Sequence, residues 1–236
     1  MKFSADNGAP PLAQECSACS RAKGLAWEVF NLEQALGFVQ EEALVPALAL
    51  ALHHMQSSVR CSIAELQEIL DQELPEVLNL ALDWRMLLPA GSAESSLAWE
   101  DLRLDMLSAQ KVQIPAVIQL LSTRAARSAT WQPELALSGT SEQLGEDRHQ
   151  LLRLIDYARQ YAPGRVLSAN QLKACLWEAG LSCNLDALIV EWKAAGVISP
   201  RLSSLRSVCA HRSPVYELNP SVFLANYSLL STDHTQ

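Results

Sequence analysis

A mainly α-helical chain carrying small β-elements, built from one unit used twice, is what these 236 residues predict, and three observations predict it. Aliphatic residues dominate while glycine occurs only 9 times, which disfavours a large sheet with many tight turns. Two capping boxes, Ser62-Ile63-Ala64-Glu65 and Ser168-Ala169-Asn170-Gln171, each open an apolar helical pattern. The patterns agree position by position, Ser62, Leu66 and Leu70 against Ser168, Leu172 and Leu176, and each copy then reaches a tryptophan, Trp84 or Trp192, followed by aliphatics and a proline.

In chain order, residues 1–24 are polar, contain Gly8, Pro10, Pro11 and Gly24, and read as an irregular arm. Residues 27–39 fit a helix imperfectly, weakened by Gly37. Residues 42–55 form a second helix, apolar nearly all round and therefore buried, with His53 and His54 at its C-terminal end, where the helix dipole favours a protonated imidazole. The first unit begins at Ser62. Its first helix buries Leu66, Ile69 and Leu70, and Pro75 opens the next one, which carries Val77, Leu78, Ala81 and Trp84. Residues 86–89 and 97–100 are expected as strands around the loop 90–96.

Residues 115–127 predict a connecting helix, and residues 128–147, with Pro133, Gly139 and Gly145 among Ser, Thr and Glu, a linker. The second unit opens with a helix over 148–161 burying Leu151, Leu154, Ile155 and Ala158. After the Ser168 capping box, Gly180 ends one helix, and Asn184 or Ser182 caps the next, striped with Leu185, Leu188, Ile189 and Trp192. Residues 197–199 and 215–218 read as strands around a basic loop holding Arg201, Arg206, His211 and Arg212, and Asn219-Pro220 starts a terminal helix. Four segments result: an arm over 1–24, a first domain with flanking helices over 25–127, a linker over 128–147 and a second domain over 148–230.

This order of elements resembles the winged helix-turn-helix superfamily over about two thirds of the chain. The resemblance implies a mainly α fold with small β-wings, two winged-helix domains in tandem. In that superfamily the third helix commonly enters the DNA major groove while the wing touches the backbone. Carried over to the second unit, that helix runs from Leu185 to Ala195 and the wing from Arg201 to Arg212.

Charge divides the two units. Residues 1–100 hold 5 lysines and arginines against 14 acids, whereas residues 101–236 hold 13 against 12. Between Arg148 and Arg212 nine basic residues meet four acids, so the second unit attracts phosphate and the first repels it. Candidate nucleic-acid contacts are Arg148, Arg165, Lys193, Arg201, Arg206, His211 and Arg212. Against base readout stand the outward positions of the presumed reading helix, Asp186, Ala187, Val190, Lys193 and Ala194, and in the first copy Glu76, Asn79 and Asp83: few of these make bidentate contacts to bases.

No glycine-rich phosphate loop, HExxH or GxSxG occurs, and the five histidines lie apart from any nucleophile and acid pair, so no enzyme is expected. Cys16-Ser17-Ala18-Cys19 is a CxxC, able to hold a metal such as zinc or iron or to exchange thiols, although a four-ligand site needs partners such as Cys61, His53 or His54. No cofactor is otherwise implied. The start has no apolar core after its lysine, and the longest apolar run, residues 43–52, is too short for a bilayer, so the expectation is a soluble cytoplasmic protein without membrane contact. Residues 43–52 and 223–230 suit a dimer interface as readily as a monomer core. The leading expectation is a tandem winged-helix regulator that meets double-stranded DNA through its second domain and a protein through its acidic first one. The alternatives are an interaction adaptor without nucleic-acid binding and a thiol- or metal-dependent sensor.

Overall fold

Both capping boxes form as their residues require. Ser62 Oγ accepts from Glu65 N at 3.2 Å while the Glu65 carboxylate accepts from Ser62 N at 2.6 Å, and Ser168 and Gln171 repeat the exchange at 3.2 and 2.9 Å. Each serine thereby stops a short strand and starts a helix. The computed structural model describes residues 17–91, 99, 107, 109–162, 164–201 and 213–225, with side chains from Leu25 onward.

The chain is mainly helical with two small three-stranded antiparallel sheets. Helices α1 (Ser17–Ala35) and α2 (Val45–Gln56) come first. The first unit continues with β1 (Arg60–Ser62), α3 (Ile63–Leu70), α4 (Leu74–Asp83), β2 (Leu88–Pro89) and β3 (Lys111–Gln113). Helices α5 (Ala116–Ser128) and α6 (Pro133–Thr140) follow. The second unit comprises α7 (Arg148–Tyr161), β4 (Val166–Ser168), α8 (Ala169–Ala179), α9 (Leu185–Ala195), β5 (Ile198–Pro200) and β6 (Val215–Leu218), and the short α10 (Pro220–Phe223) ends the described chain. In each sheet the last strand lies between the other two, in the orders β1-β3-β2 and β4-β6-β5.

Ladder pairing aligns the two units without reference to side-chain likeness. Pro89 opposes Val112 and Pro200 opposes Tyr216, while Ser62 opposes Lys111 and Ser168 opposes Val215. Counting back from the prolines, Arg85 is equivalent to Gly196 and Ala81 to Trp192. The closing hydrogen bonds agree, Met86 N to Ala81 O at 2.8 Å and Val197 N to Trp192 O at 2.9 Å. The expected equivalence of Trp84 and Trp192 is therefore corrected by three residues. Trp192 is fully buried with its ring 5.9 Å from Phe223, whereas Trp84 follows α4, is half-buried, and meets the edge of Phe38 at 5.1 Å.

Other expectations change as well. The arm is shorter than expected, because α1 begins at Ser17; Leu32 and Ala35 near its end, and Leu36 just after it, are buried. The second wing strand of the first unit is Lys111–Gln113 rather than a segment over 97–100, of which the described residue Trp99 is not in a strand. The segment 128–147 is no bare linker: it holds α6, which buries Pro133, Glu134, Ala136 and Leu137, next to buried Trp131, whose indole donates to Ser221 O at 2.8 Å. A Cβ at Gly139 would lie 3.2 Å from Leu120 Cδ1, so the two helices approach closely there and a larger residue would require the leucine to shift by a few tenths of an ångström.

One hydrophobic core spans both units, from Leu32 to Ala225. Each fully buried leucine in it contributes roughly 1.5–3 kcal/mol of apolar burial. The contacts between the units are reciprocal. Pro115, equivalent to Asn219, packs on Gly196, whose added Cβ would meet Pro115 Cβ at 2.6 Å. Asn219 in turn donates from Nδ2 to Arg85 O at 3.2 Å and to Gly196 O at 2.9 Å. Arg85 adds an ion pair to Glu217 at 2.9 Å, and Ser221 Oγ donates to Trp84 O at 2.6 Å. Among the described residues no helix is long and apolar enough to cross a membrane.

Candidate functional site

The candidate phosphate contacts differ in whether their side chains are bonded within the chain. Arg148, in the first turn of α7, donates from Nε at 2.9 Å and approaches through Nη2 at 2.8 Å the same oxygen of Glu134, a carboxylate only 1 % exposed in α6. Its charge is thus balanced within the fold. Two further α7 arginines are likewise engaged, Arg153 with Ala179 O at 2.8 Å and Arg159 with Phe223 O at 3.0 Å. Arg165, with φ of 62°, directs Nη1 to Asp83 O at 3.3 Å and so ties the second unit to the first. Lys193 is exposed on α9. Arg201 is half-buried just after β5, its backbone N–H donating to Val215 O at 2.9 Å. Arg206, His211 and Arg212 lie outside the described residues. The α7 arginines thus spend part of their hydrogen-bonding capacity within the fold, while Arg148 and Arg153 remain exposed.

The acidic first unit keeps its charge outward. Glu65, Glu68, Asp71, Glu73, Glu76 and Asp83 are all exposed along α3, the turn and α4, with no lysine or arginine between residues 61 and 84. On the Ser62 cap, Glu65 is held below the usual carboxylate range, first by the Ser62 backbone N–H and then by the Ser62 and Cys61 side chains.

Of the CxxC, Cys16 lies outside the described residues, and Cys19 takes helical backbone near the start of α1 with its side chain outside them. Among the described residues no three His, Cys, Asp or Glu side chains come together to hold a metal. Cys61, Cys175 and Cys183 are free thiols. Burial pushes Cys61 and Cys175 up to about 11, with the Glu65 carboxylate adding to the effect at Cys61, and burial also raises Cys183. Thiols so shifted are poor nucleophiles at neutral pH.

The surface that stands out was not among the expected site residues. On α8, Trp177 is 81 % exposed, and on α9 Val190 is 67 % exposed. Between α8 and the start of α9 runs an open groove of about 470 Å³, lined by Lys173, Ala174, Trp177, Leu181, Cys183 and Leu185 among others. Helix α8 is positioned by the Ser168 cap at one end and by Gly180 at the other, where φ of 77° and the Gly180 N–H to Trp177 O bond of 2.9 Å close the helix. Asn184, not Ser182, caps α9, its Oδ1 accepting from Asp186 N at 3.1 Å and Ala187 N at 3.2 Å. Leu172, Cys175 and Leu176 turn inward and leave Trp177 outside. An aromatic residue one step off the apolar stripe was the available sequence signal, masked by its adjacency to Leu176.

Neither a curated protein nor a solved structure matches the chain. A protein-family model, described only as a family, matches residues 31–227, from within α1 to beyond α10, and the chain belongs to that family.

Proposed function

We propose that this is a non-catalytic, tandem winged-helix protein whose working surfaces contact other protein. Support for the winged-helix assignment comes from the order helix, strand, helix, helix, strand, strand, with the last strand central, which occurs twice. The observation that carries the protein-contact reading is Trp177, 81 % exposed beside the α8–α9 groove. In a DNA-reading winged helix this helix pair meets the duplex. Here its outward residues are Lys173, Trp177, Glu178, Asp186, Val190, Lys193 and Ala194, two cations balanced by two acids around an aromatic anchor. An exposed tryptophan amid few net charges is the composition of an interface core, not of a phosphate-binding surface. The acidic α3–α4 face disfavours phosphate further.

The test compares the immobilised full chain with its Trp177→Glu variant. Proteins retained from a lysate by the parent should be lost from the variant, whose circular dichroism should be unchanged. Equal retention by both would overturn the assignment of this face.

Nucleic-acid binding through the second unit is the other reading, favoured by exposed Lys173 and Lys193 and by the position of Arg201 where the loop to β6 begins. Because the units interlock through Asn219 and Arg85, the full chain is the species to titrate with duplex DNA. Binding at low salt that weakens with a slope of about 0.9 per phosphate contact, and is lost on replacing Arg201, Arg206 and Arg212 by alanine, would favour this reading. No complex at low salt would remove it.

A further inference from the structure

We draw no further inference here: the strongest candidate, the open groove beside exposed Trp177 between α8 and the start of α9, is an unpartnered face of the second unit, and nothing in the structure shows what covers it.

Discussion

Replacing Arg148 by alanine separates a structural arginine from a phosphate-binding one. The Glu134 carboxylate is 1 % exposed, one of its oxygens takes both contacts from Arg148, and the other has no hydrogen-bond partner. Removing the guanidinium leaves a buried carboxylate uncompensated. Breaking a fully buried pair in this way costs about 3–5 kcal/mol, but the Arg148 side chain is 54 % exposed, so water reaches the site and the expected loss is roughly 2 kcal/mol. Urea denaturation followed by circular dichroism reads this as a lower midpoint at unchanged slope. The double variant Glu134→Ala, Arg148→Ala should be less destabilised than the sum of the single changes, because the second substitution removes the orphaned charge. An Arg148→Ala protein within about 0.5 kcal/mol of the parent would refute the pairing as a structural element. If that protein also bound duplex DNA more weakly, Arg148 would return to the role its sequence context suggested.

Three more outcomes follow from particular contacts. Gly196→Ala should destabilise by about 3 kcal/mol or more, since φ is 75° and the new methyl would meet Pro115 Cβ at 2.6 Å. Gly180→Ala, at a similar φ but facing the flexible Arg153 and Gln150 side-chain ends at 3.4 and 3.5 Å, should cost only about 1 kcal/mol in the same melt; equal losses would show that the close approach to Pro115 is unimportant. The folded pKa of Glu65 is lowered from 4.5, so its contribution is fully present above that value and is lost as pH falls below it. Glu65→Gln, which gives the first capping box the composition of the second, should flatten the pH dependence of stability between about pH 5 and pH 3, and an unchanged acid limb would refute the assignment. With Cys61 and Cys175 pushed up to about 11, roughly one part in a thousand is thiolate at pH 8. Iodoacetamide should therefore leave both unmodified in native protein and label them after denaturation, as peptide mass spectrometry would read; rapid native labelling would contradict their burial.

What the sequence revealed is what local chemistry determines. Ser62 with Glu65, Ser168 with Gln171, Gly180 and Asn184 act within a few residues of themselves, and each takes the predicted part. Trp84 and Trp192 look alike in sequence because both follow an aliphatic helix and precede a proline, but strand register decides their places and puts Ala81 where Trp192 stands. The linker expectation over 128–147 failed similarly. Gly139 reads as a breaker, yet in the fold it allows α6 to approach Leu120. Arg148 was legible as a cation; its neutraliser, Glu134, lies 14 residues upstream, beyond any helical spacing. Trp177 was hidden for the opposite reason, being next to Leu176 in sequence and on the other side of α8 in space.

The reciprocal contacts explain where the two units are free to differ. Because Pro115 meets Gly196 while its equivalent, Asn219, meets Arg85, the turn after α4 and the turn after α9 are both fixed against the other unit. Arg85 with φ of 53° and Gly196 with φ of 75° adopt the same left-handed turn, and the asparagine side chain bridges their carbonyls. Changes there disturb two units at once. The outer faces of α3 and α8 carry no such constraint, and it is there that the copies diverge, one toward an acidic surface without a balancing cation and the other toward a longer helix ending in Trp177 and Glu178. Functional specialisation is therefore expected on those two faces, and the framework between them has the geometry of a joint that both units share.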